Sequence, residues 1–149
     1  MGTSMPLDHI IRKNITYCLP TNSVRDVARA MKEDNVGAVL IIEGGVPTGI
    51  LTDRDITVRC VSAGLDANQT RAQEIMTRCV ETVGLDQGIY DVAQKMKRAE
   101  VRRVAVIDSS GMAVGLLSFD DVFDLLTEEL NDLRAAVHPH RPKIVNDAA

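Results

Sequence analysis

The chain repeats itself. Val24, Val27, Ala28 and Met31 return 65 positions later as Ile89, Val92, Ala93 and Met96. Both sets follow i, i+3, i+4, i+7 spacing, which lines four apolar side chains along one stripe of an amphipathic helix. Asn22 or Ser23 is suited to cap the first of these helices. At the same offset, Val36-Gly37-Ala38-Val39-Leu40-Ile41-Ile42-Glu43 falls on Val101-Arg102-Arg103-Val104-Ala105-Val106-Ile107-Asp108. These short β-branched and aliphatic runs leave through turn residues, Glu43-Gly44-Gly45 and Asp108-Ser109-Ser110-Gly111, and so read as buried strands. A second strand follows each turn, in Gly49-Ile50-Leu51-Thr52-Asp53-Arg54-Asp55-Ile56 and in Gly115-Leu116-Leu117-Ser118-Phe119-Asp120-Asp121-Val122. The offset is now 66, so the second copy holds one more residue in its turn.

Each copy therefore reads strand, helix, strand, strand, helix. The leading strands fall near 15–19 and 80–83, and 62–73, with Gly64, Asp66 and Asn68, is a polar connection. The closing helices carry Ile56 and Val58 inward in one copy, and Val122, Leu125 and Leu126 in the other. A repeat of about 60 residues is marginal as an independent folding unit. Two copies packed sheet to sheet would bury one shared core. The expected fold is mixed α/β (α+β): two tandem β-α-β-β-α repeats forming one pseudo-two-fold unit. The expected divisions are an extension at 1–6, repeat one at 7–65, a connection at 66–75, repeat two at 76–130 and a helix end with tail at 131–149. Leu130, Leu133, Ala136 and Val137 continue a helical stripe past the second repeat, and Pro139 within His138-Pro139-His140 is placed to end it.

Composition narrows the function. Of 149 residues, 45% are hydrophobic and 26% charged, a globular balance with enough apolar mass for a real core. Only 3% are aromatic, so Val, Ile, Leu, Met and Ala must build that core. The net charge of -4, with no basic stripe, argues against generic nucleic-acid binding. Cys18, Cys60 and Cys79 are odd in number and form no C-x-x-C pair, which fits reduced, buried thiols in a cytoplasmic protein. No apolar run approaches the roughly 18 residues of a membrane span, and no secretory or myristoylation signal opens the chain.

Two tandem copies, each closing on G-x-[LI]-[TS]-x-x-D before a helix, resemble a CBS-domain pair, or Bateman module, over 7–130. The resemblance implies two antiparallel sheets in a pseudo-symmetric pair with two clefts between the repeats. It implies that adenosine-containing ligands (AMP, ADP, ATP, NAD or S-adenosylmethionine) bind there, and that modules pair into a homodimer. It also implies a regulatory, non-catalytic role.

Thr52-x-x-Asp55 and Ser118-x-x-Asp121 have two readings. A hydroxyl three residues before a carboxylate at a helix start approximates a capping box, and acidic groups suit that end of the helix dipole. The same geometry offers backbone amides and a hydroxyl to a phosphate, and a carboxylate to ribose hydroxyls, the role of the matching Asp in CBS pairs. Gly37 and Ala38 would let a flat base approach closely, while Arg102 and Arg103 are either phosphate-binding forks or exposed charges at a strand end. By the family pattern, one cleft combines Ile15, Thr16, Val36, Gly37, Arg102, Arg103, Ser118 and Asp121. The other combines Val80, Glu81, Ala38, Val101, Thr52 and Asp55, and Glu81 disfavours a phosphate there. Val36 and Val101 either sandwich adenine or are ordinary core. Arg54 reaches a phosphate or a dimer contact, or is a solvated helix charge. His138-x-His140 lacks the third protein ligand usual for catalytic zinc, and His9 stands alone.

The leading expectation is a sensor that shifts population between two packings when an adenosine-containing ligand binds. Its effector would be a separate protein or another copy, because no effector domain is recognisable within the 149 residues. The alternative is a ligand-free dimerisation or scaffold module. An enzyme is disfavoured, since no nucleophile sits beside a base and no metal-ligand set is assembled.

Overall fold

The structure is a computed structural model, and it describes Leu7, Ile11 and residues 15–137. The expected helix stop at Pro139, the tail, His9 and the His138/His140 pair lie outside the described residues. Helix α1 (Val24–Asp34) opens on Ser23, which forms a capping box with Asp26, and closes on Asn35 in the left-handed region at φ 52°. Helix α4 (Ile89–Ala99) closes in the same way on Glu100 at φ 54°. Of the two predicted stripes, Val24, Val27 and Met31 are buried, as are Ile89, Val92 and Met96. Ala28 departs from the expectation and is exposed, while Ala93 is half-buried. Ala30 packs against the first core in its place.

Each helix leads into a hairpin. Strand β2 (Ala38–Glu43) pairs antiparallel with β3 (Val46–Thr52), and β6 (Arg103–Ile107) with β7 (Ala113–Ser118). The leading strands, β1 (Tyr17–Cys18) and β5 (Thr82–Gly84), lie parallel to β2 and β6. Both sheets are therefore mixed rather than purely antiparallel: a helix separates each leading strand from its partner, and such a crossover returns the chain in the same direction. A short β4 (Thr77–Arg78) adds an unforeseen edge to the first sheet.

The alternation of side chains along β2 divides the core. Val39 and Ile41 face α1 in one apolar cluster, while Leu40 and Ile42 face Ala105 of the other sheet. Val104 and Val106 belong to a third cluster under α4. The sheets thus meet at a seam of Leu40, Ile42 and Ala105, extended by Ile15, Val80, Ala113 and Leu116. The hairpin ends are tied by a backbone hydrogen bond from Ala113 N to Gly45 O at 2.9 Å.

The two repeats also exchange their leading segments. Leu7 and Ile11 open repeat one but pack into the core of repeat two. Ala72 and Ile75 of the short helix α3 (Ala72–Ile75), with Met76, lead into repeat two but pack into the core of repeat one. The exchange keeps the sequence offset, since Leu7 and Ala72, like Ile11 and Met76, stand 65 positions apart. The stretch read as a polar connection is consequently docked rather than loose. Val24 N donates to Thr70 O at 2.9 Å, Ala72 N to Asn22 O at 2.8 Å, and Arg71 to Thr21 O at 2.7 Å.

Two further expectations are corrected. The helix after β3 begins as α2 (Asp53–Asp55) and widens into a π-helix over Ile56–Val61. The wider turn breaks the 3.6-residue register, so Val58 is exposed and Cys60 is the fully buried side chain. Cys79 is exposed rather than buried, in a left-handed conformation at φ 58°. Cys18 is buried, and loss of hydration, reinforced by Asp26, pushes its thiol pKa up, favouring the unreactive protonated form. The closing helix α5 (Phe119–Val137) runs 19 residues, through Val137 as expected, and its last seven described residues are all exposed.

Candidate functional site

The seam opens into a cleft of about 660 Å³ at the starts of the two central strands. Three junctions build it. Ile15 and Thr16 enter from the segment before β1, and the turn from α1 to β2 supplies Asp34 through Ala38. Repeat two supplies Arg103, Leu116, Ser118 and Asp121. The left-handed Asn35 makes the sharp turn possible, and Thr16 closes it by donating from Oγ1 to Asp34 Oδ2 at 2.6 Å. On the opposite wall Arg103 lies across from Ser118 in the β6–β7 register.

Asp121 combines both readings of its motif. Its Oδ2 accepts from Ser118 N at 2.8 Å and Ser118 Oγ at 2.6 Å, and its own N–H donates back to Ser118 Oγ at 3.2 Å. This is a capping box with Asp in the reaching position. Oδ1 accepts no hydrogen bond among the described residues, so one carboxylate oxygen remains for a ligand. Beside it, the Phe119 and Asp121 amides that open α5 are already paired, Phe119 N donating to Arg102 O at 2.7 Å, while half-buried Arg103 forms no ion pair among the described residues. The wall therefore offers a carboxylate acceptor and a cation together, over the small surface of Gly37 and Ala38.

The matching positions of the other half are arranged differently. Thr52 and Asp55 form the same box, with Asp55 Oδ2 accepting from Thr52 N at 3.0 Å and Asp55 N donating to Thr52 Oγ1 at 3.1 Å. Here the second oxygen, Oδ1, lies 3.5 Å from Arg59. Arg59 is itself anchored on Ile75 O at 2.8 Å and Thr77 Oγ1 at 3.1 Å. At the 66-residue offset its counterpart is Leu125, which packs into the second core, so Asp121 has no such partner among the described residues.

The other predicted site residues are dispersed. Ala38 lines the Asp121 cleft and also lies directly across from Thr52 in the β2–β3 register. Arg102 is absent from that lining; its side chain is 76% exposed, 4.0 Å from Asp120 and 5.7 Å above the Phe119 ring. Val36 both lines the cleft and packs on the first core, while Val101 packs on the second. Val80 lies at the seam, and Glu81 lies 3.7 Å from Lys95 in a separate groove along α4. The Arg54 backbone amide donates to Asp53 Oδ1 at 2.7 Å.

Asp34, Asn35, Leu116 and Arg59 were not anticipated. Asp34-Asn35 directly after the α1 stripe was a readable helix stop, but the role of Arg59 depends on the exchanged segment and left no local signal. A larger concavity of about 960 Å³ at the hairpin ends, lined by Tyr17, Ile42, Gly45 and Met112 among others, holds no charged side chain among the described residues. No described helix is long and apolar enough to cross a membrane.

Comparison with known proteins agrees with this architecture. A family model described as the CBS domain matches twice, over 7–61 and 72–128. The CBS domain-containing protein YhcV of Bacillus subtilis is 33% identical over 103 residues, 69% of this chain and 72% of that protein. An uncharacterized protein of Methanopyrus kandleri is 28% identical over 82% of this chain, which spans only 63% of that relative's length. Among solved structures, a CBS domain protein from Pyrobaculum aerophilum complexed with AMP superposes with a TM-score of 0.70 at 26% identity, covering 78% of this chain and 89% of that one.

Proposed function

The chain belongs to the CBS-domain family, and from that premise we propose that it is a regulatory module sensing an adenosine-containing ligand in the Asp121 cleft. One observation carries the reading: Asp121 keeps a carboxylate oxygen for a ligand, whereas Arg59 occupies that oxygen of Asp55. In this reading Asp121 Oδ1 accepts from the vicinal ribose hydroxyls. Adenine lies against Ile15, Val36, Gly37 and Ala38, and phosphates meet Arg103 beside Ser118. The AMP complex of the Pyrobaculum protein supports the ligand class. Binding favours one packing of the repeats over another, and a separate effector in the cytoplasm reads the difference.

Thermal denaturation with AMP, ADP, ATP, NAD and S-adenosylmethionine tests this. At about 100 times its Kd, the true ligand adds roughly 2.7 kcal/mol of stability. Asp121→Ala is expected to abolish the shift and Asp55→Ala to retain it. No shift with any of the five, or an undiminished shift in Asp121→Ala, sinks the reading.

A second reading, a ligand-free dimerisation module, draws on exposed Val58, Val61, Leu65, Phe119 and Phe123, an unusual apolar load for free surface. Self-association that persists with no response to any nucleotide favours it.

A further inference from the structure

Phe119, Phe123, Leu126, Leu130, Leu133 and Val137 follow one another along α5 at steps of four, three, four, three and four. This is a strict 3.5-residue repeat, and the helix offers it to solvent. Leu130 is 66% exposed, Leu133 62% and Val137 69%, while Leu126 is half-buried. The side of α5 that packs on the second core carries Val122, Leu125 and Leu126, and shares only Leu126 with this stripe. We propose that the projecting half of α5 is the stem of a parallel two-stranded coiled coil, formed with the same helix of a second copy of this chain.

The spacing selects the occupant. A globular surface or a bilayer asks for a 3.6-residue stripe, whereas a 3.5-residue repeat keeps its seam facing another helix only through a left-handed supercoil. The outer face carries Asp124, Glu128 and Asp132, acidic groups that repel the anionic lipid surface sought by basic amphipathic helices.

The flanking charges select the orientation. With Phe123, Leu130 and Val137 at a and Leu126 and Leu133 at d, Glu129 takes a g position and Arg134 the e position five residues later. In a parallel, in-register pair, g of one helix faces e of its partner five residues on. Glu129 then meets Arg134 of the other copy twice, once on each side of the two-fold axis. An antiparallel pair sets g against g and e against e, and loses both contacts. Leu at d with Val137 at a also suits two strands. The segment is short for an isolated coil, but Val122, Leu125 and Leu126 already hold its first turns in helix, so the nucleation cost is met within the monomer.

Cross-linking tests the geometry without any nucleotide, so its outcome is separate from that of the sensor reading. In a Cys79→Ser background, Leu133→Cys is expected to form a disulfide-linked dimer under mild oxidation. Glu128→Cys, on the outer face, should do so at least about tenfold more slowly, because only a and d residues meet their own copies across a parallel seam. Equal rates overturn the proposal. So does a chain that sediments as a monomer at micromolar concentration, which would assign the stripe to another protein's helix. Glu129→Arg should weaken self-association by about tenfold, and adding Arg134→Glu should restore it. Failure of the double exchange to restore it rules out the parallel register.

Discussion

Gly49 and Gly115 occupy the same place in the two repeats, and each is kept free of a side chain by a residue from the opposite half. A Cβ at Gly49 would run into Met76, and one at Gly115 into Ile11, with Val106 Cβ also 3.4 Å away. The two collisions are unequal. Met76 can move its flexible thioether, whereas Ile11 is β-branched and stiff at χ1. Gly115→Ala is therefore expected to destabilise by about 1–3 kcal/mol and Gly49→Ala by less, measured by urea unfolding. A neutral Gly115→Ala would mean that Ile11 does not hold that position. Both glycines were legible as the first letter of a repeated motif; their reason was not, because the side chains that require them come from segments with no periodic pattern. The aspartates behave alike. Their place at two helix starts was readable, but the difference between them was not, since Arg59 is aimed at Asp55 by contacts with Ile75 and Thr77.

At the scale of elements, α1 and α4 share a stripe but not a cap. Gly88 gives α4 no side-chain cap, whereas Ser23 Oγ accepts from Asp26 N at 3.1 Å and donates to Asp26 Oδ2 at 2.7 Å. The Ser23 hydroxyl, with the Ser23 N–H behind it, holds the Asp26 carboxyl below the ordinary aspartate range. A folded-state pKa that is depressed contributes stability above the unfolded-chain value and loses it as pH falls through the folded one. Acid titration of stability below the ordinary aspartate range should therefore be shallower in Ser23→Ala than in the parent. At neutral pH the same variant should lose about 1 kcal/mol of hydroxyl capping. An unchanged acid slope would show that Asp26 is held by something other than this box. The caps and stripes of these helices were visible in local sequence because they obey one period. The π-helix over Ile56–Val61 was not, because an added residue per turn rotates every later side chain, placing Cys60 inside and Val58 outside.

At the scale of the whole molecule, the exchange of leading segments decides how the chain comes apart. The 65-residue offset identified two copies and their order, but an offset cannot tell which copy a segment joins. Leu7 opens the first repeat yet is fully buried in the second, and Ile75 leads into the second yet is buried in the first. Neither core is complete until the opposite half has folded, and the seam of Leu40, Ile42 and Ala105 adds a third region that belongs to both. Leu7→Ala removes apolar volume from the second core alone, at an expected cost of about 2–5 kcal/mol. If the halves were independent, calorimetry of that variant would resolve two transitions, with the first repeat melting at its parental temperature. The exchange instead predicts one two-state transition, displaced as a whole by about 2–4 °C for each kcal/mol lost. Ile75→Ala, acting from the other side, should reproduce this behaviour. A split transition in either variant would reduce the exchanged segments to surface packing.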